Sequence, residues 1–96
     1  MRNMEHVYNQ IREICAEERA ARVMLFGSRA RGTAEEKSDI DLAVWGCPDF
    51  PHLEDRLDNE LWSLLQLDVV NMDESSSHEL LEEVLKDGKV LYEEVR

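Results

Sequence analysis

The sequence predicts an α/β (α+β) fold, a mixed sheet of about four strands with helices packed on it. Three observations predict it. Short apolar runs end in glycine, as in "RVMLFG" at 22–27, and have the composition of strands buried on both faces. Other stretches repeat apolar residues every three or four positions, the period of an amphipathic helix. Strand-like and helix-like stretches alternate only in part, in the order α-β-β-α-β-α-β, which points to a mixed sheet.

The first helix is expected over residues 4–19, where Met4, Val7, Tyr8, Ile11, Ile14 and Cys15 form one stripe. "RVMLFG" follows as a strand, and "SRARG" as a turn or a single helical turn. "SDIDLAVWG" (38–46) is the next strand, ended by Gly46, and "CPDFP" (47–51) is a proline-punctuated loop. A second long helix is expected from about His52 to Leu65, with Leu53, Leu57, Leu61, Leu64 and Leu65 on one stripe. "LDVVN" (67–71) reads as a short β-branched strand. A third long helix follows over about 77–87, with Ser76 and Glu79 at capping-box spacing and Gly88 at its C-terminal end. "KVLYEEV" closes the order as an edge strand. No internal repeat, linker or low-complexity segment interrupts it.

Composition bounds the function. Ninety-six residues suggest one domain over 1–96 with a small core, and 43% apolar residues suit a globular chain. No apolar run approaches the roughly 20 residues that span a bilayer, so no membrane segment is expected. The first residues lack the pattern of a signal peptide. Cys15 and Cys47 form no CxxC pair and no disulfide framework, which suits a reducing cytoplasm. Eleven Lys and Arg against 22 Asp and Glu leave a net charge of −11. That field repels long DNA or RNA. A small nucleotide stays open, because a divalent cation masks its phosphates. The acidic surface suits a basic protein partner, or serves solubility alone.

Two short stretches carry chemistry. In a strand, Asp39 and Asp41 share one face while Ile40 turns to the core. Two carboxylates about 5 Å apart repel by about 3 kcal/mol at an effective dielectric of about 20. Protonation, a bound cation or good hydration relieves such a pair. Oxygen-only ligands suit Mg²⁺. Taken alone, the pair favours a hydrated strand start. Gly27 lets a backbone or ligand approach the end of the first strand. If residues 28–31 open a helical turn, its amides and the Ser28 hydroxyl make an anion site, with Arg29 and Arg31 nearby. Taken alone, this favours a serine-capped turn with solvated arginines. Together the readings change. If the two strands are antiparallel neighbours, phosphate donors and metal carboxylates lie at one end of the sheet, which is what a nucleoside triphosphate with Mg²⁺ requires. Asp68, in "LQLDVVN", reaches the same place if its strand pairs beside residues 40–45. From there it would orient or deprotonate an attacking hydroxyl. Otherwise it is a strand aspartate facing solvent.

Gly27-Ser28, ten intervening residues and Asp39-Ile40-Asp41 form the pattern GS-x₁₀-DxD. With this pattern the chain resembles the minimal nucleotidyltransferases, which are similar to the catalytic core of the polymerase-beta-like superfamily. The resemblance covers nearly the whole chain. It implies that Gly27 and Ser28 hold the triphosphate, with Arg31 assigned to the same site because relatives are basic there. Asp39 and Asp41 would bind two Mg²⁺ ions, and Asp68 would be the third acidic residue. An acceptor hydroxyl would attack the α-phosphate of a nucleoside triphosphate, ATP by the family's habit, and release pyrophosphate.

The resemblance also implies a partner. Such proteins pair as antitoxins with HEPN-domain toxins and transfer AMP to a toxin tyrosine. With no acceptor-binding domain in 96 residues, a partner protein is expected to be the acceptor, in a homo- or hetero-oligomer. Two other readings stay open: a non-catalytic module that neutralises the toxin by occlusion, and a small-molecule nucleotidyltransferase. Of the remaining residues, His6, His52 and His78 are scattered and read as surface, because a zinc site needs clustered ligands. Trp62 reads as core edge, and Trp45 as covering the sheet or meeting a partner. The Glu-rich stretch 79–83 reads as a solvated face, or as a dock for a basic partner.

Overall fold

The computed structural model describes residues 4–34, 38–61, 65–75 and 77–94. In chain order its elements are α1 (Glu5–Glu17), β1 (Arg22–Phe26), α2 (Ser28–Arg31), β2 (Ile40–Trp45), α3 (Phe50–Glu60), β3 (Leu67–Asn71), α4 (His78–Asp87) and β4 (Lys89–Glu93). The "SRARG" stretch is thus a single helical turn, and the rest follows the expected order. The four strands form one mixed sheet in the order β3-β2-β1-β4. β1 pairs antiparallel with both β2 and β4, while β2 and β3 run parallel. β4 lies at an edge, as its place at the end of the chain suggested.

The sheet is buried on both faces, which explains the unbroken apolar run of β1. On one face Val23, Leu25, Ile40, Leu42 and Val44 pack with Ile11, Ile14 and Cys15 of α1 and Leu53 and Leu57 of α3. On the other, Met24, Phe26 and Ala43 meet Met72, just after β3, and Val84 of α4. Trp45 packs at the edge of this second cluster, so it covers the sheet. Ile11, Ile40, Leu42, Leu53 and Leu57 are fully buried, each contributing roughly 1.5–3 kcal/mol. Burial pushes the Cys15 thiol up to about 12, so this cysteine is an inert packing residue.

Arg56 ties α3 to α1. Its guanidinium donates to Glu17 (2.9 Å), Glu18 (3.1 Å) and Glu60 (2.8 Å), and the Glu18 carboxylate also meets His52 Nδ1 at 2.6 Å. His6, His52 and His78 are all exposed.

Several boundaries differ from the sequence reading: α1 spans Glu5–Glu17 rather than 4–19. β2 starts at Ile40, so Asp39 precedes the strand. α3 starts at Phe50, inside the stretch read as a loop. The Asp49 side chain accepts the His52 amide at 3.2 Å, and Pro51 fits the first turn, where its missing N–H costs nothing. The helix stops at Glu60 rather than Leu65; Leu61 is already extended (ψ 125°). Leu61 and Leu65 still pack on the same core as Leu53 and Leu57, so leucine spacing alone did not separate helix from packed loop. Trp62 and Leu64 lie outside the described residues. At α4 the observed cap is Ser77, whose hydroxyl accepts the Leu80 amide at 3.2 Å. Ser76, the capping residue read from the sequence, lies outside the described residues.

Gly88 ends α4 with φ −67° and ψ 151°, a conformation open to any residue. The constraint is steric: a Cβ there would collide with the Val84 carbonyl oxygen and lie 3.0 Å from Met24 Cε. Gly88→Ala should therefore destabilise the protein by about 1–3 kcal/mol in urea unfolding. Backbone entropy alone would make the same substitution stabilising by about 0.4–1 kcal/mol, so the sign of the change decides between the two.

Candidate active site

β1 delivers the chain into a tight reversal. Gly27 follows Phe26 with φ 75° and ψ −156°, a combination essentially restricted to glycine. α2 then turns once and ends at Gly32, which is left-handed (φ 77°). The Gly27 carbonyl accepts the amides of Ala30 (3.2 Å) and Arg31 (3.1 Å). The donors this turn can offer an anion are therefore at its start, at Ser28, which is half-buried.

Gly27 also touches the acidic part of the site. A Cβ on Gly27 would collide with Asp41 Oδ2. The antiparallel register explains the contact, since Asp41 stands opposite Phe26, the residue before Gly27. On its other side β2 runs parallel to β3, with Asp41 opposite Asp68. Ala43 and Val70 face the α4 side of the sheet. Asp41 and Asp68 each lie two residues earlier, on that same face. Ile40, between Asp39 and Asp41, is fully buried on the opposite face. Asp39 is exposed at the entrance to β2, Asp41 is half-buried, and Asp68 is exposed.

The two arginines of the turn part ways. Arg29 donates from both Nε (3.0 Å) and an Nη (2.7 Å) to the Ser38 carbonyl oxygen, and so secures the backbone just before Asp39. Arg31 is exposed and lies 3.6 Å from Glu83 of α4. Glu83 was absent from the site as read from the sequence, where 79–83 was a solvated face. No local pattern marks it. It reaches the site only because α4 packs on the sheet face that carries Asp41.

The electrostatics follow from this crowding. Burial raises the pKa of the Asp41 carboxyl, and the charges of Asp68, Asp39 and Glu83 raise it further, while Arg31 lowers it. Among the described residues, no three His, Cys, Asp or Glu side chains are gathered into a ready-made metal cage. The chemistry of the donor set nonetheless fits a hard divalent cation. It offers carboxylate oxygens alone, one of them partly desolvated, in net excess of negative charge.

The family model described as polymerase beta, nucleotidyltransferase matches residues 9–96 of this chain. No curated protein matches it significantly. Solved structures do. A chain from a toxin–antitoxin complex with AMP-PNP aligns with a TM-score of 0.72 and 27% identity, over 91% of this chain and 73% of the other. A structure described as a minimal nucleotidyltransferase aligns at 0.69 with 31% identity, over 90% of each chain. A Shewanella oneidensis complex of a tri-AMPylated HEPN toxin with an MNT antitoxin aligns at 0.69, over 96% of this chain and 74% of that one. At 23% identity the last is a likeness of fold.

Two outcomes are expected. Gly27→Ala should cost about 1–3 kcal/mol of stability in urea unfolding, since it combines a disallowed backbone conformation with a collision at Asp41. Asp41→Asn should stabilise the metal-free protein at neutral pH. A carboxyl with a raised folded-state pKa contributes stability that is full below its ordinary value of 3.8 and is lost as pH rises through the raised value. Melting curves of the two proteins should therefore converge near pH 4 and separate above the raised value. The gap should be largest at neutral pH, with Asp41→Asn melting at the higher temperature.

Proposed function

The chain belongs to the polymerase beta nucleotidyltransferase family, and we propose that residues 1–96 act as one catalytic domain transferring AMP from ATP to a hydroxyl of a partner protein. The observation that carries this reading is the meeting of Gly27 with Asp41 and of Asp41 with its register partner Asp68. The glycine-serine turn and the carboxylates are thereby brought to one end of the sheet, which supports the reading of the turn as the phosphate holder.

Each residue then has a task. Gly27 keeps the turn clear of side chain, and Ser28 offers its amide and hydroxyl to the triphosphate. Arg31 brings a cation to the same rim. Asp39 and Asp41 would hold two Mg²⁺ ions, with Asp68 as the third acidic residue. When bound, the metal supplies charge neutralisation at the phosphates and lowers the cost of forming the attacking oxyanion. Asp68, exposed at the start of β3, accepts a hydrogen bond from the acceptor hydroxyl and orients it or takes its proton. A new bond joins the acceptor oxygen to the α-phosphorus, the bond from that phosphorus to the bridging oxygen breaks, and pyrophosphate leaves.

The partner proposed is a HEPN-domain toxin, with this chain as its antitoxin. Support comes from the toxin–antitoxin complex that aligns at 27% identity and holds AMP-PNP. The GS-x₁₀-DxD spacing supports turnover over simple occlusion, because a silent docking module has no need of Ser28, Asp39 and Asp41 together. Among the described residues no helix is long and apolar enough to cross a membrane, which accords with a cytoplasmic role.

The test is incubation of the protein with α-labelled ATP, Mg²⁺ and a purified HEPN-domain protein from the same genome. Label should appear on the HEPN protein, and Asp41→Ala should slow its appearance at least about 100-fold. Equal neutralisation of the toxin by both proteins, with no label transferred, would replace transfer by occlusion.

A further inference from the structure

α4 lies on the sheet face that carries Asp41, held there by the buried Val84. Glu83, the residue before it, brings Oε1 to 3.6 Å from Arg31 Nη1, and both side chains are partly exposed (47% and 40%). Both residues stand within electrostatic reach of Asp41. A guanidinium within reach of Asp41 has an evident alternative, a bidentate pair with that carboxylate. Such a pair would occupy the oxygens a divalent cation needs. Among the described residues, Arg31 is ion-paired with Glu83 and with none of the three aspartates.

We propose that Glu83 is a positioning residue, which draws the Arg31 guanidinium aside so that it serves a triphosphate and leaves Asp39 and Asp41 to a divalent cation. The contact is longer than the roughly 2.7–2.9 Å of a strong charge-assisted hydrogen bond. It is also exposed, and exposed ion pairs stabilise a fold little. Those two properties suit a resting place rather than a structural clamp. The pair is firm enough to bias where a flexible cation sits and weak enough to release it to phosphate oxygens. Glu83 and Arg31 come from different elements, α4 and α2, so the bias depends on the docking of the helix on the sheet.

The inference rests on the metal-site reading given above, and the test separates the two. Tm is followed against Mg²⁺ concentration, without nucleotide, for the wild type, Glu83→Gln, Arg31→Ala and the double variant. The wild type should show a saturable rise. Glu83→Gln should leave the metal-free Tm nearly unchanged but move the Mg²⁺ midpoint about fivefold higher, the scale of one exposed ion pair, as Arg31 settles on the aspartates. Removing Arg31 as well should restore the midpoint to that of Arg31→Ala alone. An unchanged midpoint in Glu83→Gln overturns the proposal. So does a weakened midpoint that Arg31→Ala fails to restore, since Glu83 would then act through its own charge. No response to Mg²⁺ in the wild type would instead remove the metal-site reading itself, and this inference with it.

Discussion

The contact between Gly27 and the Asp41 carboxylate is the constraint on which the rest of the site depends. A side chain at position 27 would occupy the space that Asp41 Oδ2 takes up. The positive φ of Gly27 then directs the chain into the α2 turn at the same place. One residue without a Cβ therefore performs two jobs, close approach and reversal. Arg29 completes the arrangement from the other side, gripping the Ser38 carbonyl and so placing Asp39. The turn and the strand that carries Asp41 are held against each other by short-range geometry.

The cost of this arrangement is electrostatic, and the protein spends few cations on it. Arg56 is committed to three glutamates between α1 and α3. Arg22 pairs with Glu93 across β1 and β4, and Arg12 donates to the Leu91 carbonyl. Among the described residues, Arg31 is the cation that opposes the negative charge at the carboxylate cluster, and it is shared with Glu83. The fold can carry such a cluster because its stability comes from elsewhere. Two apolar layers, one under α1 and α3 and one under α4, enclose the sheet. A destabilised acidic corner on a well-packed scaffold is the division expected where activity and stability trade against each other.

Most of the element plan was legible because it is written in local periodicity. The stripe of α1, the apolar run of β1 and the β-branched β3 were each recovered to within a few residues. The misreadings have local causes as well. Leu61 and Leu65 still pack on the core after the helix has ended. Asp49 and Pro51, read as loop residues, are the cap and first turn of α3. A capping signal one residue from the observed cap shows how degenerate consecutive serines are.

For the site, the sequence by itself determined the chemistry on offer: a glycine-serine turn at the end of one strand and three aspartates at the starts of two others, brought to one end of the sheet on the condition, met in the structure, that β1 and β2 pair antiparallel. Spacing within one strand decides which side chains share a face, because the backbone period is two. Only the tertiary structure decided that Asp41 stands opposite Asp68, that Gly27 abuts the Asp41 carboxylate, and that Glu83 meets Arg31 beside them. Those are relations between residues far apart in the chain. Strand register and helix docking set them, and both answer to the packing of the whole core rather than to any stretch of neighbours.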